Sequence, residues 1–251
     1  MITVKDIIEF TETFAPLATA ADFDNCGLLV GDSSQEVTKV LVTLDITPEV
    51  VKEAKEAGAQ LIISHHPVIF NPLRKLSTDS VPYLLAKAGI NALCLHTNLD
   101  IAQEDGVNVC LAKVLGLSDI RVFSEEFVCL GELSTELTTE EFAQLVKDSL
   151  GADSVSYTKG NRKIKTVGMC SGAGGDMYHS AVALGADAFL TGEAKHHEYL
   201  EAKATGIPMV VAGHFFTENI AVSPLAKKLA DRFPETEFLL STANKNPYSC
   251  I

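Results

Sequence analysis

The sequence predicts an α/β protein of two similar units, each with a mainly parallel sheet flanked by helices, and three observations carry that expectation. The 251 residues are 47% hydrophobic and 21% charged, which supplies apolar material for a sizeable buried core. An amphipathic helix, a glycine, a short apolar strand and then polar residues recur four times in that order. The strands within the pattern are apolar throughout rather than alternating, as expected of strands covered on both faces.

Taken in order, "MITVKDIIEFTETF" carries acids at helical spacing, and "ADFDNCGLLVGD" has turn chemistry before a short strand, which suits a structural or pocket-wall role. "TKVLVTLDI" reads as a strand. In "TPEVVKEAKEAGAQLIISHHP" Thr47 can cap a helix, Pro48 suits its first position and Gly58 ends it before the strand. The later copies are "SVPYLLAKAGINALCLHTNLD", "SAVALGADAFLTGEAKHHE" and "EYLEAKATGIPMVVAGHFFTE". "VFSEEF", near 122–127, reads as an acidic break. After it "FVCLGEL", a capped helix from "TTEEFAQLVKDSLG", and "KIKTVGMCSG" open a second unit. The expected division is residues 1–125, completed by about 220–251, and residues 126–219. "CSGAGGDMYHS" lacks the Walker lysine and the G-x-G-x-x-G spacing, so it reads as a tight turn with Asp176 as an N-cap.

Composition narrows function. The net charge is -13, and no run of Lys or Arg exceeds two, so nothing is built to neutralise a phosphate backbone or to hold an anionic membrane surface. No apolar stretch reaches the roughly 18 residues of a membrane span. The amino terminus lacks the pattern of a signal peptide. Six scattered cysteines without a C-x-x-C pair suggest reduced thiols in a cytoplasmic protein.

In parallel sheets, ligands bind beyond the carboxyl ends of the strands. Those ends carry His65 and His66, His96 with Asp100, Glu193, and His214. Adjacent residues on a strand point to opposite faces, so His65 and His66 serve one centre only where Pro67 turns the chain away. His214 and Glu218 stand at i and i+4, on one face if a helix opens there. Histidines and carboxylates in this number exceed the needs of one four-coordinate ion. Two ions roughly 3.5–4 Å apart are therefore expected, with zinc, iron or manganese compatible with the donors. His196 and His197 of "TGEAKHHE" are secondary candidates.

Together, "DFDNCGLLVGD", "SHHPVIF", "HTNLD", "SGAGGDM", "TGEAKHHE" and "GHFFTEN" resemble the Nif-three-like family, known as GTP cyclohydrolase 1 type 2 homologues, over nearly the whole chain and in the family's order. Phe23 stands where the family often has Trp. The resemblance implies five metal ligands, His65, His66, Asp100, His214 and Glu218. It also implies a toroidal homohexamer, a trimer of dimers, in a compact form without the insertion some relatives carry. The expected activity is metal-dependent hydrolysis of a small molecule, with His96 and Glu193 as proton shuttles. The alternative is a non-catalytic ring that stores, delivers or senses metal. Nucleic-acid and membrane partners are not expected.

Overall fold

Apolar strands in the first unit line up so that their carboxyl ends share one edge. The computed structural model describes residues 1–251, and the first unit comprises residues 1–99 and 222–245. It contains β1 (Ile2–Thr3), α1 (Val4–Thr11), β2 (Gly27–Val30), β3 (Glu36–Val37), β4 (Lys39–Thr43), α2 (Pro48–Ala57), β5 (Leu61–Ser64), α3 (Val81–Ala88) and β6 (Asn91–Cys94). The short helix α4 (Thr97–Asp100) follows β6. Thr47 caps α2 by accepting from the Val50 N–H, Pro48 opens the helix, and Gly58 closes it at φ 72°, a left-handed conformation that glycine adopts without a Cβ penalty. Leu61, Ile62 and Ile63 are fully buried. Of these, Ile62 packs with Leu41, Val50, Leu85 and Ala92 in the core beneath the helices.

The carboxyl-terminal helix α10 (Val222–Arg232) and strand β13 (Glu237–Leu240) belong to this unit. Strand order is β13-β4-β5-β6-β2, parallel except for β2. The expectation that "TEFLLS" could return to the first unit describes β13.

The second unit comprises residues 100–221 and 246–251. Its elements are α5 (Val107–Val114), β7 (Ser118–Phe123), β8 (Val128–Leu137), α6 (Thr139–Leu150), β9 (Ser156–Tyr157), β10 (Ile164–Cys170), α7 (Tyr178–Ala183), β11 (Ala188–Thr191), α8 (His196–Thr205), β12 (Met209–Val211) and α9 (His214–Glu218). Strand order is β7-β8-β10-β11-β12-β9. Here the expectation of a mainly parallel sheet fails: β7–β8, β8–β10 and β12–β9 are antiparallel, and only β10–β11 and β11–β12 are parallel. For β7–β8 the reason lies in "VFSEEF". Its acids sit in the tight turn of a hairpin, where Phe127 takes φ 53° and its N–H donates to the Ser124 carbonyl. The division between units therefore falls at Leu99 and Asp100, not near residue 125.

Both faces of this sheet are covered. Phe142, Val146, Val167, Met169, Leu190 and Val210 pack on one side; Leu130, Tyr178, Phe189 and Met209 pack on the other. Neighbours such as Phe189 and Leu190 divide between the two clusters, as the strand period requires. No helix is long and apolar enough to cross a membrane.

Phe142 is fully buried, whereas Thr138 closes a capping box with Glu141 at the exposed start of α6. Phe142→Ala should therefore cost about 3–5 kcal/mol and Thr138→Ala about 1 kcal/mol. Urea unfolding of the two variants checks the ordering; equal losses would contradict the packing described here.

Candidate metal centre

The first unit, by itself, holds a cluster of three imidazoles. Strand β5 stops at Ser64, and the backbone N–H groups of His65 and His66 still donate to the Thr43 and Leu44 carbonyls. The Ser64 hydroxyl donates to the His66 carbonyl at 2.8 Å, closing the turn. The two rings thereby sit together, centroids 5.1 Å apart. His96, just beyond β6, lies 5.1 Å from the His65 ring and 5.5 Å from the His66 ring. Ligand atoms of all three lie within 4.8 Å of one another.

Each ring is oriented through Nδ1. His65 Nδ1 meets the Leu95 carbonyl at 2.9 Å, His66 Nδ1 meets Asp45 Oδ1 at 2.7 Å, and His96 Nδ1 meets Asp24 Oδ1 at 2.8 Å. A carbonyl or carboxylate can only accept, so the proton of each neutral ring resides on Nδ1 and the lone pair on Nε2. This is how metal-binding histidines are commonly held.

Asp24 does more than orient one ring. Its side chain is fully buried and accepts from the Thr97 hydroxyl at 2.5 Å, the Thr97 N–H at 3.1 Å and Cys26 Sγ at 3.0 Å. Burial works to raise its pKa; the hydrogen bonds from His96, Cys26 and Thr97 outweigh it and hold the carboxyl far below the usual carboxylate range. The next residue, Asn25, donates from Nδ2 to the Ile69 carbonyl at 2.6 Å, tying this segment to the loop after His66. Sequence reasoning gave "ADFDN" only a structural or pocket-wall role and passed over Asp45. The available signal was a carboxylate at a turn or strand end next to the histidine-bearing strands.

The second unit, by itself, holds a cluster of carboxylates and one imidazole. The i, i+4 spacing does form a helical pair: in α9, His214 Nε2 lies 3.0 Å from Glu218 Oε2. His214 Nδ1 faces Glu193 Oε1 at 3.2 Å, beyond the end of β11. Glu193 thus sits where it aims the His214 ring. Asp100 and Glu218 place carboxylate oxygens within 4.8 Å of each other, and the Asp100 carbonyl accepts from Asn108 Nδ2. Burial first, then the carboxylates of Asp100, Asp176 and Glu218, push the Cys170 thiol well above its ordinary pKa. The same negative field favours a cation.

The glycine run serves close approach. Gly172 takes φ +59°, and a Cβ there would lie 2.0 Å from Glu218 Oε1 and 3.1 Å from His214 Nε2. Its N–H donates to Thr217 Oγ1 at 3.1 Å. Asp176 lies within a 3₁₀ turn whose N-cap is Gly174, so the expected Asp176 cap does not form. His196 and His197 are exposed at the start of α8, where His197 approaches only Glu198, at 3.9 Å.

These donors, neutral imidazole nitrogens and carboxylate oxygens, suit a borderline divalent ion. Asp45→Asn, which replaces the carboxylate that fixes Nδ1 of His66, should weaken zinc binding about 10–100-fold. Competition against a chromophoric chelator reads this directly, and unchanged affinity would rule out the orienting role.

Against known proteins, the model of the Duf34/NIF3 (NGG1p interacting factor 3) family matches residues 2–247. The GTP cyclohydrolase 1 type 2 homolog of Clostridium perfringens is 34% identical over 261 residues, covering 99% of both chains. The crystal structure of Staphylococcus aureus protein SA1388 superposes with a TM-score of 0.92 at 30% identity, covering 100% of this chain and 99% of that one. Reduced HcgD from Methanocaldococcus jannaschii gives a TM-score of 0.79 at 27% identity, covering 95% and 97%.

Proposed function

The chain belongs to the Duf34/NIF3 family, and we propose that it is a dinuclear metalloprotein that hydrolyses a small molecule. The observation that carries this reading is the histidine cluster, whose three Nδ1 atoms are each fixed by an acceptor. The proposed ligands are His65, His66, Asp100, His214 and Glu218, serving two divalent ions per subunit, with zinc or iron favoured and manganese compatible. Metal of this kind supplies Lewis acidity and lowers the pKa of water toward neutrality.

The chain's own side chains account for the rest. Asp24 holds a proton on His96 Nδ1, so His96 Nε2 can take a proton from a reacting group and return it. Glu193 orients His214 through Nδ1, and Glu218, buried beside His214, adds negative charge that retains the cation. GTP-like chemistry enters only through the names of the relatives. An acidic chain whose glycine turn packs against Glu218 is an unpromising triphosphate binder, which favours a smaller or less charged substrate.

Metal content per subunit, measured by elemental analysis on untagged protein purified without added metal, tests the centre. About two ions in the wild type, lost in the His65→Ala/His66→Ala double variant, is the expected result. Glu218→Gln should abolish metal-dependent turnover in a hydrolase screen; wild-type turnover in that variant would sink the hydrolase reading. A metal-replete protein that turns over nothing and passes its ions readily to an acceptor would favour the metal-handling alternative.

We further propose a cytoplasmic homohexamer, a trimer of dimers. Light scattering should then return six times the chain mass of 26.9 kDa, and a monodisperse dimer or monomer would overturn it.

A further inference from the structure

The amino ends of the first unit's parallel strands border a cavity of about 720 Å³, within the roughly 300–1,000 Å³ of small-molecule sites. Thr236 in its wall directly precedes β13, and Glu237 of that strand pairs with Lys39 at the start of β4. The clustered histidines follow the opposite, carboxyl ends of β5 and β6, which run parallel to β4. The cavity is therefore a second place in this unit, apart from the candidate metal centre.

Its walls come largely from α1 and from the chain where α10 ends. Phe10 and the buried Phe233 meet edge to face with centroids 5.7 Å apart, and Pro234 extends this apolar surface. Arg232, in the last turn of α10, sets its guanidinium carbon 5.7 Å from the Phe10 centroid and 5.0 Å from the Phe233 centroid, close enough for cation–π attraction. The guanidinium thus rests on rings rather than on a carboxylate. Its planar fork of N–H donors stays open to an acceptor of matching shape, a carboxylate above all.

Asp6, Glu9 and Glu235 line the same cavity. Lys5 counters Glu9 at 3.5 Å. Asp6 accepts from the Thr3 hydroxyl at 2.6 Å and the Thr3 N–H at 2.7 Å, bonds that fix its position and hold its carboxyl below the usual carboxylate range. Two carboxylates, Asp6 and Glu235, then share the cavity with one guanidinium, Arg232. A complementary small molecule carries the reverse set, two cationic groups and one carboxylate, on an apolar stem that suits the phenyl rings.

We propose that this cavity binds a basic amino acid, with the α-carboxylate on Arg232, the cationic groups on Asp6 and Glu235, and the methylene chain along Phe10 and Phe233. The acids alone would attract any cation. The open guanidinium on its aromatic seat is what adds the demand for a carboxylate, and the two demands together define the ligand class.

Titration calorimetry of the full chain with L-lysine tests this, against cadaverine, which lacks the carboxylate, and L-norleucine, which lacks the side-chain ammonium. Lysine should bind at least about tenfold more tightly than either, because each control forfeits one charge-assisted contact. Arg232→Gln should weaken lysine about tenfold and erase its advantage over cadaverine; Glu235→Gln should erase its advantage over norleucine. Arg232→Lys, which keeps the charge and loses the fork, should also weaken lysine, and circular dichroism checks that each variant is folded. The comparison of the three ligands is made on the wild type, so it stands even if a variant folds poorly. Absence of lysine binding, cadaverine or norleucine binding as tightly as lysine, or unchanged affinity in folded Arg232→Gln would each overturn the proposal. The titration is repeated on chelator-treated protein, where unchanged lysine affinity is expected. Affinity that disappears with the metal would place the amino acid on a bound ion instead and overturn the assignment to this cavity.

Discussion

An imidazole offers a cation one lone pair, and the group on its other nitrogen decides which nitrogen that is. In the first unit this constraint organises the surroundings of all three clustered histidines. Asp24 and Asp45 come from separate segments, and the third acceptor is the backbone of Leu95, next to His96. Two of the three acceptors therefore lie at strand ends, where Asp45 follows β4 and Leu95 follows β6. The parallel arrangement of β4, β5 and β6 brings those ends to one edge, so the sheet topology and the tautomer control are the same structural fact seen at two scales.

The second unit solves a different problem, that of holding carboxylates close together. Glu218 is 4% exposed and its oxygens approach both His214 and Asp100. Bringing like charges together in a buried setting raises their energy unless a cation or protons compensate. Gly172 and Gly192 make the approach possible at all. A Cβ on Gly192 would fall 2.6 Å from both the Gly172 carbonyl and Thr217 Oγ1, so larger residues would force α9 away from the strand ends.

Much of this was legible in the sequence where local chemistry determines structure. The cap at Thr47, the stop at Gly58 and the pairing of His214 with Glu218 follow from spacing and propensity within a few residues. Non-local pairing was not legible. The antiparallel β7–β8 hairpin turns on "SEEF", whose acids resemble a linker in composition, and only the strand register identifies it as a tight turn. Asp24 was missed for the same reason. It lies 72 residues from His96, and an aspartate flanked by phenylalanine and asparagine looks like ordinary turn chemistry until the partner strand is in place.

The segment Phe23–Gly27 then gains a meaning that its composition conceals. Asp24 accepts from His96 and Thr97, Asn25 donates to the carbonyl of Ile69, and Cys26 donates to Asp24. Asp24 and Asn25 thus reach two different parts of one unit, both bordering the histidines, while Cys26 braces Asp24. A segment with so many independent anchors loses little further entropy when a ligand binds, and it transmits any change at one anchor to the others. That is why a substitution at Cys26 would be felt at an imidazole it does not touch through its side chain: the carboxylate of Asp24 stands between them and must satisfy both.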